Sequence, residues 1–357
     1  MTLEIARDVP VETLTERPII EAERLTKHFK VGGLFSKHLL HAVDEVDLVI
    51  RSREIVALVG ESGSGKSTVA RLLARVYEPT SGEIRYRGRP LQTLRSRRDV
   101  LRYRSRVQMV FQDPYSSLNP VLPASHGILR ALKLHRKELG RKKRRETAEQ
   151  ILEQVGLNPA EEFIRKYPYE LSGGQRQRFG FAQALASGAE LILADEPVSM
   201  LDVSIRAGVL NLMANLRSRQ GVSFLYITHD IASARYVADR MLVMYAGHVV
   251  ESGPVEDVLS HPKHPYTQLL LSAVPDPQAP VNVDASAEFA EPPRVVDPGE
   301  GCRFRWRCPY RPAEAETITP PLRLVRKDHM VACHIATVDD ESLSSNPSPA
   351  NERGEQA

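Results

Sequence analysis

The sequence predicts an α/β fold with a largely parallel sheet covered on both faces and a small helical insertion. Three observations carry this. Short, nearly continuous apolar runs recur at Glu54–Val59, Val107–Phe111, Glu190–Ala194, Val222–Ile227 and Arg240–Met244, and such runs suit strands buried on both sides. Longer helical stretches alternate with them from Ile20 to about Ser260. Between Pro114 and Tyr169 no strand signal appears, while Arg130–Val155 reads as helical, so a helical subdomain interrupts the α/β pattern.

Taken in order, residues 1–19 are polar, without periodicity, and read as a flexible arm. Four acids and no apolar core in the first 17 residues exclude a secretory signal. Residues 20–260 form the α/β unit, with its helical subdomain over about 114–170. Residues 272–300 hold six prolines and many acids and read as an irregular linker within an extension spanning 261–335. The three cysteines all lie in the last part of that extension, and 336–357 reads as a disordered tail. No internal repeat is evident.

Composition bounds the function classes. The 357 residues are 42% hydrophobic and 26% charged, ordinary for a globular protein with a sizeable core. No apolar run approaches the ~20 residues of a membrane span. Net charge is only +3, which does not mark a nucleic-acid binder. Three clustered cysteines cannot staple a fold and fit a reducing compartment. Arg130–Arg145 carries nine basic residues and Arg95–Arg106 six, with Tyr103 the only aromatic in either. Without stacking residues these read as solvated helix faces, with contact to anionic lipid headgroups as the second option.

Chemistry begins at Gly60-Glu61-Ser62-Gly63-Ser64-Gly65-Lys66-Ser67, which fits G-x-x-x-x-G-K-[ST] between a strand and the helical run Thr68–Val76. Glycines let successive backbone N–H groups converge on a phosphate, and the helix N-terminus adds its positive dipole end. Lys66 would reach the β- and γ-phosphates and the Ser67 hydroxyl would ligate Mg²⁺. A second strand ends in Asp195-Glu196. An acid there can hold Mg²⁺, and its neighbour can polarise water for in-line attack. Leu171-Ser172-Gly173-Gly174-Gln175 opens a helix with a hydroxyl, two glycines and an amide, another anion-receiving surface.

Together these residues resemble the nucleotide-binding subunits of ATP-binding-cassette (ABC) transporters. Phe111-Gln112-Asp113-Pro114 looks like the Q-loop, Ser199-Met200-Leu201-Asp202 like the D-loop, and Thr228-His229-Asp230 completes six motifs in register over Ile20–Ser260. The resemblance implies a P-loop NTPase core with an antiparallel β subdomain, the helical subdomain and a small C-terminal extension. It implies a head-to-tail dimer that sandwiches two ATP molecules. Gly60–Thr68, Phe29 and Gln112 would bind nucleotide, and Ser67, Gln112 and Asp195 would hold Mg²⁺. Lys66, Glu196 as base and His229 as γ-phosphate sensor would be catalytic. Ser172, Gly173, Gly174, Gln175 and Asp202 would act in trans. Phe29 aligns with an adenine-stacking aromatic, and a core phenylalanine is the competing reading. Met200 stands where the D-loop commonly has a small residue.

Glu61-Ser62 within the loop, Gln112–Pro120, and His261-Pro-Lys-His-Pro-Tyr-Thr-Gln268 resemble the oligopeptide/dipeptide/nickel importer branch. That branch often carries four cysteines for an iron–sulfur cluster. Here Cys302, Cys308 and Cys333 match, Ala315 replaces the remaining one, and His334 is a substitute ligand, so a cluster and three ordinary thiols both stay open. The implied function is ATP hydrolysis energising a multi-subunit importer at the cytoplasmic face of the plasma membrane. Its partners would be two transmembrane permease subunits, a second ATPase subunit and, indirectly, an extracytoplasmic solute-binding protein, with no nucleic acid expected. Peptide is the branch's commonest solute. Nickel or oligosaccharide import, phosphonate processing, and a soluble ABC ATPase on nucleic acid are the alternatives.

Overall fold

The computed structural model describes residues 18–32, 37–113, 118–272 and 295–339. The expected arm before Pro18, Pro114–Ser117 of the branch motif, most of the proline-rich linker and the tail beyond 339 lie outside the described residues.

The described residues form twelve strands: β1 (Ile20–Lys30), β2 (Leu39–Ile50), β3 (Ile55–Val59), β4 (Ser81–Tyr86), β5 (Arg89–Pro90), β6 (Val107–Val110), β7 (Leu191–Asp195), β8 (Ser223–Thr228), β9 (Arg240–Tyr245), β10 (His248–Pro254), β11 (Arg323–Arg326) and β12 (His329–Val331). They form an antiparallel sheet ordered β2-β1-β4-β5 and an eight-stranded sheet ordered β11-β12-β10-β9-β3-β8-β7-β6. From β9 to β6 the larger sheet is parallel, and β10, β12 and β11 add to it antiparallel. Each apolar run of the sequence is a strand of the parallel part.

Period-2 alternation divides these strands between two cores. Ile55, Ala57 and Val59 of β3, with Phe224 and Tyr226 of β8, face a core shared with the helical insertion through Ile128, Leu132, Leu152 and Phe163. Val56, Leu58, Leu225 and Ile227 face the other core, built from Ile20, Leu25, Val46 and Ile84 of the antiparallel sheet and Val69, Leu72 and Leu73 of the helix Lys66–Leu73. That dual burial explains why the runs read as continuously apolar.

The insertion differs from the single helical run expected over Arg130–Val155. Two helices, His126–His135 and Arg141–Gln154, are separated by a break ending at Gly140. The extension is less separate than its composition implied. Its hairpin β11–β12 pairs with β10, and Phe304 and Tyr266 are buried in the first core. Packing also runs past both expected boundaries. The Ile19 N–H donates to Ile50 O at 2.8 Å, and Asp339 donates its N–H to Val325 O at 2.9 Å and accepts from Lys263 at 2.7 Å.

Candidate active site

The phosphate-loop sequence lies where β3 ends and the helix Lys66–Leu73 begins. Gly65 has φ +106°, and a Cβ there would stand 2.1 Å from Ala42 O, so no side chain fits the turn. Lys66, 5% exposed, folds back to donate to Gly60 O at 2.8 Å and Glu61 O at 2.7 Å. Burial lowers its proton affinity, and the carboxylates of Glu196, Asp195 and Glu61 oppose that. A cation wrapped in its own loop's carbonyls is poised to exchange them for an anion.

Ser67 and Asp195 meet although 128 residues separate them, because β3 and β7 flank β8 and end on the same side of the sheet. Ser67 Oγ donates to Asp195 Oδ1 at 2.9 Å, and burial raises the Asp195 pKa. Glu196 follows in the left-handed region at φ 47°, which turns it out of the strand line. Its Oε2 accepts from Gln112 Nε2 at 3.0 Å and lies 3.5 Å from His229 Nδ1. Ser199 Oγ donates to Glu196 O at 3.0 Å and fixes the turn.

These groups border one cavity of about 650 Å³, lined by Phe29, Glu61–Thr68, Gln112, Glu196 and His229. Gly60 and Asp195 are buried and reach that lining through Lys66 and Ser67. Phe29 settles as a wall residue: half-buried at the end of β1, it meets Tyr77 edge-on at 5.4 Å. The donor set of Ser67, Asp195 and Gln112 is all oxygen and includes a buried carboxylate that an added cation would relieve, which fits Mg²⁺.

Ser172–Gln175 and Asp202 do not line this cavity. Ser172 caps the helix Gly173–Ser187: its Oγ accepts from Gln175 N at 3.3 Å while Gln175 Oε1 accepts from Ser172 N at 3.0 Å. A Cβ on Gly174 would stand 2.3 Å from Ile205 Cγ2, so the glycine lets the next helix pack close. Asp202 stands at the N-cap position of the helix Val203–Gln220, makes no side-chain capping bond there, and is exposed.

Sequence reasoning missed the contribution of the extension. Val295 and His41 also line the cavity, and His41 N–H donates to Val295 O at 2.8 Å. Arg307 forms two parallel bonds to Glu61, Nη1–Oε2 at 2.8 Å and Nη2–Oε1 at 2.9 Å. Tyr266 of the His-Pro-Tyr motif accepts the Glu61 N–H at 2.8 Å. Among the described residues, His28, His41 and Asp44 offer ligand atoms within 4.8 Å of one another. Arg303 Nη2 already donates to Asp44 Oδ2 at 2.6 Å, so this cluster is a charge-compensated strut between β2 and the extension. No spacing signal marks the contacts of the extension with Glu61 and Asp44, because they join residues 205 to 259 positions apart.

The same motif explains itself structurally. The Glu251 carboxylate, 0% exposed, accepts from Lys263 N at 2.8 Å, His264 N at 2.9 Å and His329 Nε2 at 2.7 Å. His264 Nδ1 accepts the Tyr266 N–H at 3.0 Å and must stay unprotonated to do so. Burial lowers its pKa to about 4 against an ordinary 6.5, with only Glu251 opposing. The unfolded ring therefore takes up a proton between those values and the folded ring does not, so stability is lost as pH falls from about 6.5 toward 4. A shift of that size corresponds to roughly 3 kcal/mol. Burial also lowers His248 to about 4, so it adds a loss over the same window. Urea unfolding at pH 7 and 5 should show the combined loss, and His264→Asn, which keeps an acceptor without a titrating ring, should remove about half of it. An equal slope in the variant would refute the assignment.

The three thiols do not fit a metal cluster. Cys302, Cys308 and Cys333 line, together with Ala315 and Phe304, a cleft of only about 10 Å³. Burial raises the Cys302 and Cys333 thiols, away from the thiolate that binds metal. His334 Nε2 is engaged by Ile318 O at 3.0 Å. The ordinary-thiol reading stands, and the iron–sulfur expectation is withdrawn.

Comparison with known proteins agrees with this geometry. The family model described as ABC transporter matches residues 43–199, and that described as oligopeptide/dipeptide transporter, C-terminal region, matches residues 250–314. A putative oligopeptide transport ATP-binding protein of Bacillus subtilis is 42% identical over 320 residues, 89% of this chain and 95% of that protein. A probable peptide ABC transporter ATP-binding protein of Sinorhizobium fredii is also 42% identical, covering 89% of this chain and 90% of the other. Among solved structures, the dimeric post-hydrolysis state of the ATP-binding cassette MJ0796 bound to ADP and Pi aligns with TM-score 0.59 at 29% identity. It covers 66% of this chain and 98% of that one. Among the described residues no helix is long and apolar enough to cross a membrane. The fold, a cavity lined by the phosphate loop, and relatives matched over nine-tenths or more of their length thus lead to one assignment: the chain belongs to the ABC transporter family of ATPases, in the group that carries the oligopeptide/dipeptide transporter C-terminal region.

Proposed function

We propose that this chain is the ATP-hydrolysing subunit of a multi-subunit importer that takes up peptides, bound peripherally at the cytoplasmic face of the membrane through two permease subunits. The observation that carries the reading is the convergence of Lys66, Ser67, Asp195, Gln112, Glu196 and His229 on one cavity in a chain that also carries the peptide-transporter extension.

In this reading Lys66 leaves Gly60 O and Glu61 O for the β- and γ-phosphates, and loop N–H groups take the remaining oxygens. Ser67, Asp195 and Gln112 would hold Mg²⁺, which neutralises charge on the phosphates when bound. Glu196 accepts a proton from the attacking water as the bond to the γ-phosphorus forms and the bridge to the β-phosphate breaks. His229, beside Glu196, donates to the γ-phosphate. Phe29 stacks on the base. Ser172–Gln175 and Asp202, which do not line their own chain's cavity, serve the site of a second ATPase subunit in a head-to-tail dimer.

A tagged full-length chain, recovered from solubilised membranes, should bring down two polytopic permeases and vanadate-sensitive ATPase activity. The associated binding protein should take up peptides. Recovery of soluble enzymes or nucleic acid in place of permeases would overturn the transport reading, and a binding protein selective for nickel or oligosaccharide would overturn the solute.

A further inference from the structure

The second residue of the phosphate loop is an acid, and this needs explaining. A carboxylate beside a polyanion site opposes the ligand by charge, yet Glu61 lines the cavity. Its three polar groups are each tied down. The carbonyl accepts from Lys66 at 2.7 Å, the N–H donates to Tyr266 Oη at 2.8 Å, and the carboxylate takes both arms of Arg307. Arg307 is 6% exposed at its side chain, with its guanidinium 5.6 Å from the Tyr245 ring centre and 5.9 Å from that of Phe304. Tyr266 and Phe304 are buried and in contact, so the partners of Glu61 belong to one packed aromatic block. Bidentate pairing fixes the direction of a carboxylate as well as its charge.

We infer that the C-terminal extension completes the nucleotide site of its own chain, with Arg307 as a positioning residue that neutralises Glu61 and holds it aside from the phosphates. The inference rests on the reading of the cavity as the ATP site. Without Arg307, the loop carries an unpaired negative charge into contact with ATP. The defect is therefore one of affinity, and it is curable by removing the charge on Glu61 rather than by restoring Arg307.

The test is a double-variant cycle on the full-length chain, read as the Kd of a fluorescent ATP analogue with Mg²⁺ and as KM and kcat for ATP. Arg307→Gln should raise Kd and KM about tenfold, the size of a partly screened charge contact, with kcat within twofold. The double variant Arg307→Gln/Glu61→Gln should recover most of the lost affinity. A merely structural role predicts a lowered melting temperature in both variants and no recovery. An Arg307→Gln chain that binds like wild type, or a double variant as weak as the single, would overturn the inference. If Arg307→Gln does not fold, Arg307→Lys decides: charge retained with the fork lost should leave Kd within threefold, and a tenfold loss overturns. Failure of the wild-type chain to bind the analogue would overturn both this inference and the site reading beneath it.

Discussion

Glu196→Gln should abolish turnover while leaving ATP binding intact. The carboxylate stands at the cavity wall in a left-handed turn, with Gln112 and His229 both directed at Oε2. Glutamine is nearly isosteric and keeps an oxygen for one of those contacts, but it cannot accept a proton from water. General-base removal typically costs ~100-fold or more in rate. Steady-state phosphate release should fall by at least that factor, with the Kd for ATP unchanged within threefold, and the ATP-loaded variant should persist as a dimer in size-exclusion chromatography. Turnover within tenfold of wild type would remove Glu196 as the base.

Lys66→Ala should produce the opposite pattern, a failure of binding. The ammonium is buried and donates to two backbone carbonyls and to Ser64 Oγ. Its charge-assisted bonds to phosphate contribute about 3 kcal/mol, or roughly 100-fold in Kd. The folded chain should tolerate the change, because removing a desolvated cation offsets the cost of leaving Gly60 O and Glu61 O unpaired. An unchanged melting temperature with nucleotide affinity lost is the expected result, measured by thermal unfolding and by titration with the fluorescent analogue. Retained affinity would mean that the phosphates do not lie where Lys66 points.

The parts of the molecule legible in the sequence were those encoded locally. The loop at 60–67 and the pair Asp195-Glu196 announce themselves because strand, turn and functional residue are contiguous, and their meeting follows from parallel strand order. The five strands of the parallel sheet were legible because burial on both faces leaves no polar alternation to confuse the pattern. Arg307–Glu61 and Arg303–Asp44 were not, since an arginine near a cysteine and an acid in a loop carry no mark of each other. The break before Gly140 was missed because a charged run, Arg136–Arg145, is equally compatible with a helix and with its interruption. Ala315 hinted in the sequence that the cysteine module had lost a ligand. Only the filled cleft around it decides between a metal site and packed thiols.

One placement within the sheet bears on solubility. Were the chain to end after the cassette, β10 would be the outermost strand, and its seven residues, five of them buried, would offer unpaired backbone groups to any passing strand. The hairpin moves that open rim to β11. This strand has four residues, begins and ends in arginine, and displays Arg323 and Leu324 to solvent. Short, cationic rims resist pairing with other chains, so the hairpin leaves the sheet an edge less open to strand-to-strand association than β10 would be.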